Sequence, residues 1–268
     1  MKVVAIVQAR MGSTRLPDKV MKKIGGVPMI ELLLSRLSLA KELDQIIIAT
    51  SHDSKNQPLA QHVEKLGYLC VRGSEDDVLQ RYLDAASAAD ADIVVRVTGD
   101  CPLIDPFLVD ECVVQFIDSK VDYLSNTNPP TFPDGLDTEV FTVAALRRAA
   151  RESKNSFDHE HVTPYLRCQE LFKTSSIAHH EDLSGLRWTV DELVDFEVVS
   201  NVFANFAPEI HFSWEQVLQL HQNHPELFAA NQNIVRNEGA LMGKGQKLWK
   251  RAKQVIPGGN MLLSNFNL

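Results

Sequence analysis

Cysteine is scarce: four residues in 268, at Cys70, Cys101, Cys112 and Cys168, with no C-x-x-C pair among them. That spacing excludes a disulfide scaffold and a zinc-finger framework, and it suits a reducing cytoplasmic setting. Cations are also in deficit, with 27 Lys and Arg against 35 Asp and Glu and a formal net charge of −8. An acidic chain has no broad footprint for nucleic acid or for an anionic membrane, so any basic cluster must be local. No apolar run approaches the roughly 18 residues that a membrane span needs. The apolar opening, residues 3–7, is too short for the core of a signal peptide. There is no internal repeat or low-complexity block, no G-x-x-x-x-G-K-[ST] loop, and no G-x-G-x-x-G after a strand. What remains is a globular composition, 44% hydrophobic and 23% charged, at a length close to the limit of a single core.

The order of elements gives the class. Residues 3–7 are β-branched and precede a loop, which predicts a buried first strand. Strands follow at 45–50, 68–71 and 92–97, separated by helices over 28–39, 56–66, 75–88 (opened by Ser74) and 106–117. Continuous apolar strands alternating with helices are the pattern of a mostly parallel, doubly wound α/β sheet. Beyond about residue 120 the rhythm changes. Turn-rich segments at 126–135 lead to strands at 138–141, 172–177 and 186–190, with helices expected over 142–151, 158–169 and 191–203. This decorated second half is where an acceptor site is expected. Near residues 238–245 the composition becomes polar and Gly-rich, which places a domain boundary at about 240/241.

The segment after the first strand is the most informative. Gln8, Ala9, Arg10, Met11, Gly12, Ser13, Thr14, Arg15, Leu16, Pro17, Asp18 and Lys19 put two arginines, a lysine and two hydroxyls around one glycine. Guanidinium forks and exposed loop N–H groups suit several phosphate oxygens, and ligands of parallel sheets bind at the carboxyl ends of the strands. A triphosphate cradle is therefore expected here; a surface loop whose charges pair with neighbours is the alternative.

Residues 8–19, the Gly25-Gly26-Val27-Pro28-Met29-Ile30 run and Arg96-Val97-Thr98-Gly99-Asp100-Cys101-Pro102-Leu103-Ile104 resemble the cytidylyltransferases that activate acidic sugars such as Kdo and sialic acids. Within that family the resemblance is to the branch of spore coat polysaccharide biosynthesis protein F. It covers roughly residues 1–240. It implies a GT-A-like nucleotidyltransferase fold, CTP as donor and Mg2+ as cofactor, with Arg10, Arg15 and Lys19 on the triphosphate and Arg81 and Thr98 beside the nucleotide. The acceptor is expected to be a sugar acid or a phosphorylated small molecule, in surface polysaccharide or glycoconjugate synthesis. A homodimer is a possible assembly; neither nucleic acid nor membrane is an expected partner. The enzyme alternative is a GT-A glycosyltransferase, although Asp100 is followed by Cys101-Pro102 and not by the second aspartate of D-x-D. A catalytically silent nucleotide-binding module is the other.

Asp100, just past an apolar strand and a Thr98-Gly99 turn, is the first expected metal ligand, because a hard divalent cation takes oxygen donors. Asp105 reads instead as a helix N-cap before Pro106. The resemblance places the second metal carboxylate at the end of a late strand, which here is Asp191; Asp195, four residues on, is expected to point to solvent. Arg81 has a plainer alternative, an i,i+4 pair with Asp77. His159 and His161 are spaced i,i+2 and do not share a helix face, so no zinc site is expected. Residues 245–259 resemble the opening of class III, PLP-dependent aminotransferases, which implies that 241–268 is a linker or tail at the start of a second domain; a basic amphipathic tail packed on the first domain or on a dimer mate is the alternative.

Overall fold

Strand β1 (Val3–Gln8) is buried along nearly its whole length, and this is why it carries no polar alternation. It lies in parallel between β4 (Gln45–Ser51) and β6 (Ile93–Thr98), with Val4 opposite both Gln45 and Val94. β5 (Leu69–Gly73) adds in parallel to the outer side of β4. The computed structural model describes residues 1–234 and 236, and one compact unit, Met1–Gln232, contains the whole sheet. The expected boundary at 240/241 and the tail at 241–268 lie outside the described residues.

Side chains of β1 divide between two cores. Val3, Ala5 and Val7 face a layer built from α1 (Met29–Leu37), α2 (Gln57–Lys65) and α4 (Pro106–Ser119). Two later helices, α7 (Leu193–Phe206) and α8 (Trp214–Asn223), join that layer. Val4 and Ile6 face α3 (Val78–Ala88) and α5 (Val143–Glu152). A short antiparallel hairpin, β2 (Lys23–Ile24) with β3 (Val27–Pro28), precedes α1.

The second half extends the same sheet with reversed direction. β8 (Glu139–Thr142) pairs antiparallel with β6, β7 (Tyr123–Ser125) antiparallel with β8, and β9 (Thr174–Ser176) parallel with β7. The order is β5-β4-β1-β6-β8-β7-β9. The doubly wound, mostly parallel reading holds.

Several local expectations are corrected. The helix expected at 75–88 starts at Val78, and its N-cap is Asp77, whose carboxylate accepts from Gln80 N–H; Ser74 instead accepts from Asp77 N–H. The single helix expected at 158–169 is a short α6 (Ser156–His161) followed by a separate 3-10 turn, Tyr165–Arg167. Pro164 cannot donate to an ongoing helix and disfavours the α conformation at Thr163. Residues 186–190 form no ladder strand; they run extended and are tied at single points, Trp188 N–H to Asp134 O at 2.7 Å and Val190 N–H to Asp100 O at 2.8 Å. α8 follows a Ser213–Gln216 capping box, a sequence signal that was there to read.

Candidate active site

The carboxyl ends of β1, β4 and β6 define one rim, and close backbone contacts gather the candidate residues there. Gly99 N–H donates to Gln8 O at 2.8 Å. A Cβ at Gly99 would stand 2.8 Å from Ala9 Cβ and 3.0 Å from Gln8 O, so only glycine lets the end of β6 lie against the first loop. The loop itself is pinned from within. Met11 N–H donates to the buried Asn56 carboxamide at 2.7 Å, Asp18 N–H returns to Met11 O, and Met11 and Leu16 anchor its apolar side in the core. Gly12 and Ser13 form the turn between these anchors, with Ser13 Oγ accepting from Leu16 N–H.

A 3-10 turn at Lys19–Met21 then directs Lys19 inward, where only 8% of the residue stays exposed. Its ammonium donates to Asp100 Oδ2 at 3.0 Å, Asp191 Oδ1 at 2.9 Å and Val190 O at 2.7 Å. Burial opposes the ammonium charge, yet the two carboxylates outweigh it and raise the Lys19 pKa. Burial likewise opposes the Asp100 carboxylate, and Lys19 with a hydrogen bond from Thr98 brings it down to about 2. Asp100 and Lys19 therefore stay ionised together near neutral pH.

Asp191 is surrounded by cations. Besides Lys19 it meets Arg15 Nη2 at 3.0 Å and Arg187 Nη2 at 3.3 Å. Arg187 in turn donates to both Asp195 oxygens at 2.9 Å and to Asp134 at 3.1 Å. Asp195 is fully buried, which corrects its expected solvent position. α7 begins at Leu193 with Glu192 as its N-cap, so Asp195 is the third helical residue and turns back to accept from the Asp191 and Glu192 N–H groups. Asn231 Nδ2 also donates to it at 2.9 Å. Gly135 seats the Asp134 loop here: its φ is +118°, and a Cβ would lie 2.7 Å from the Trp188 carbonyl carbon.

The remaining expected residues sit on the opposite side of the rim. Arg10 reaches Glu75 at 2.8 Å. Arg81 is buried and donates from Nη1 to Ser74 O at 2.6 Å, while Asp77 pairs with His159 at 2.9 Å, so Arg81 makes its side-chain bond to Ser74 and not the alternative ion pair with Asp77. Thr98 Oγ1 lies 3.3 Å from Cys101 Sγ. Of five buried polar atoms without a hydrogen-bond partner among the described residues, Gln8 Oε1 and Arg96 Nε lie on the α3 side of the sheet, Arg81 Nε on α3 and Glu75 Oε2 just before it, and Thr50 Oγ1 on β4. Arg187, Asp195, Asp134, Asn56 and Glu75 were missed as site residues. Only the Arg187–Asp191 spacing of four carried a signal for any of them.

The donors fit a hard divalent cation. Oxygens of Asp100, Asp191 and Val190 converge within 3.0 Å of one positive centre, the Lys19 ammonium, and the set contains no thiolate or imidazole. Among the described residues no group of three or more His, Cys, Asp and Glu could hold a metal. Phosphate oxygens and water would have to complete the shell. Among the described residues, too, no helix is long and apolar enough to cross a membrane.

A mostly parallel sheet with an antiparallel extension, a cationic loop after its first strand and aspartates on the same rim is the arrangement of a nucleotidyltransferase. The chain belongs to the cytidylyltransferase family, whose profile matches residues 4–234. It is 30% identical to spore coat polysaccharide biosynthesis protein SpsF of Bacillus subtilis, over 84% of this chain and 95% of that protein. A solved cytidylyltransferase from Leptospira borgpetersenii superposes with a TM-score of 0.82 at 32% identity, covering 89% of this chain and all of that one. The fold is also that of a CMP-2-keto-3-deoxy-manno-octonic acid synthetase solved with CTP, with a TM-score of 0.61 at 18% identity over 77% of this chain and all of that one.

Proposed function

We propose that the protein transfers CMP from CTP to a sugar-acid hydroxyl or a phosphorylated small acceptor, with Mg2+, in surface polysaccharide synthesis. The observation that carries this reading is the convergence of Lys19, Asp100 and Asp191 beside a loop that supplies Arg10 and Arg15. The likeness to SpsF supports the polysaccharide setting.

In the reaction an acceptor oxygen bonds to the α-phosphorus of CTP, the bond from that phosphorus to the bridging oxygen breaks, and pyrophosphate leaves. Such transfer asks for positioning and charge neutralisation more than for covalent chemistry. Arg10, Arg15 and Lys19 exchange their carboxylate partners for the triphosphate oxygens. Asp100 and Asp191, once released, would hold the magnesium, which would supply Lewis-acid polarisation of the α-phosphate and of the attacking hydroxyl. Gln8 and Ala9 line the end of β1, where a small pyrimidine leaves room for backbone readout of the base.

The test is pyrophosphate release from each of the four ribonucleoside triphosphates with Mg2+ across a panel of sugar acids and sugar phosphates. Turnover with CTP alone is expected. Equal turnover with ATP or GTP, or none with CTP on any member of the panel, overturns the reading.

A further inference from the structure

A second charged cluster lies outside the loop and the two aspartates. Arg96 on β6 and Arg167 in the 3-10 turn both reach Glu139 on β8, Arg167 through Nη2 at 2.8 Å and Arg96 through Nη1. Tyr123 OH donates to the same carboxylate at 2.5 Å, and Arg167 Nε donates to Tyr123 OH at 3.1 Å. The Glu139 side chain is 3% exposed, but those of Arg96 and Arg167 keep 18% and 38%. Two guanidiniums thus share one buried carboxylate, which leaves one positive charge uncompensated on side chains that are still partly exposed. Arg96 Nε is buried with no hydrogen-bond partner, a position that costs free energy unless an acceptor arrives.

Its location ties it to the reaction. Arg96 is two residues before Thr98 on one face of β6, about 7 Å along the strand, and Thr98 bonds to Asp100. Arg96 pairs in register with Ile6, one alternate residue before Gln8.

We propose that Arg96 and Arg167 bind the anionic group, carboxylate or phosphate, of the acceptor, with Glu139 positioning both guanidiniums; this rests on the cytidylyl-transfer reading. The anion balances the charge of the cluster, two guanidiniums against the one carboxylate of Glu139. A neutral sugar would leave the second guanidinium uncompensated.

The experiment uses the full chain held in CTP and Mg2+, so that the triphosphate site is filled, and follows the arginine Nε–H resonances by NMR while acetate or inorganic phosphate is added. Resonances are assigned with Arg96→Lys and Arg167→Lys. Saturable shifts at Arg96 and Arg167, with millimolar dissociation constants, are expected. Response to acetate alone identifies a carboxylate acceptor, and response to phosphate alone a phosphorylated one. Arg167→Gln should weaken anion binding about tenfold or more, whereas Glu139→Gln should strengthen it, a pair of opposite effects that a purely structural cluster would not produce. Stabilisation by CTP, read separately from melting curves, should be unchanged in both variants. Retained CTP binding with no saturable shift at either arginine overturns this inference alone, and loss of CTP binding by the unmodified protein overturns the reading beneath it.

Discussion

The Lys19 ammonium donates to Asp191 Oδ1 at 2.9 Å and so fastens the loop after β1 to the segment entering α7. The same ammonium holds Asp100 at the end of β6. One cation therefore stands where the proposed metal would, and the nucleotide's arrival has to move it.

Replacing Lys19 by Met should lower turnover by at least about a hundredfold, the scale of a single preorganised electrostatic group. It should also tighten Mn2+ binding in the absence of nucleotide, because no ammonium competes for the two carboxylates. Titration of Mn2+ followed by electron paramagnetic resonance reads this directly, and unchanged affinity would separate Lys19 from the cation position.

Asp100→Ala and Asp191→Ala should each reduce pyrophosphate release by more than about a hundredfold while leaving the far-ultraviolet circular dichroism of the fold intact. Asp195→Ala should behave differently. It strips Arg187 of a bidentate partner in the interior and removes the acceptor of two N–H groups at the start of α7, so a loss of about 3 kcal/mol or more in stability is expected. Urea unfolding distinguishes the two kinds of variant.

Acid should unfold the protein through a second buried carboxylate, Glu139, as well as through Asp100. Burial opposes the Glu139 carboxylate, and Arg96 and Arg167 overcome it, leaving its pKa at about 2 in the fold against 4.5 ordinarily. A depressed carboxyl contributes stability above its ordinary pKa and loses it as pH falls toward the folded value. The contribution, of order 3 kcal/mol at about 1.4 kcal/mol per pH unit, should disappear between about pH 4.5 and 2. Glu139→Gln should flatten the melting temperature across that interval; an unaltered slope would count against the pairing.

Gly135→Ala should destabilise the protein by about 1–3 kcal/mol, since an L side chain is strained at φ +118° and its Cβ would meet the Trp188 backbone. Because Asp134 precedes it, the variant should also weaken the Arg187 contact and raise the concentration of CTP needed for half-maximal turnover.

The loop and Asp100 at the rim were legible as candidates because their information is local. The loop from Gln8 to Lys19 concentrates cations in an acidic chain, and Asp100 follows an unmistakable apolar strand. Asp105 was readable as the cap of α4, as its bonds to Phe107 and Leu108 N–H bear out. Asp195 was not legible, because spacing from Asp191 presumes a helix already running there, whereas Glu192 caps it one residue later. β7 is three residues long, too short for periodicity to register. Arg187 to Asp134, like Arg96 to Glu139, joins residues whose proximity is set by the antiparallel entry of β8, which no spacing along the chain records.

That entry of β8 marks where the fold tolerates change. The strands that present the loop and Asp100, β1 and β6, pair with each other; β1 pairs on its other side with β4, and β6 meets the antiparallel half at a single seam with β8. Arg96 and Glu139 stand opposite each other on that seam. Segments beyond that seam, other than the one that returns Arg187 and Asp191 to the rim, can be remodelled without disturbing the first loop or Asp100, and any such change has to keep the charge balance of the two facing residues.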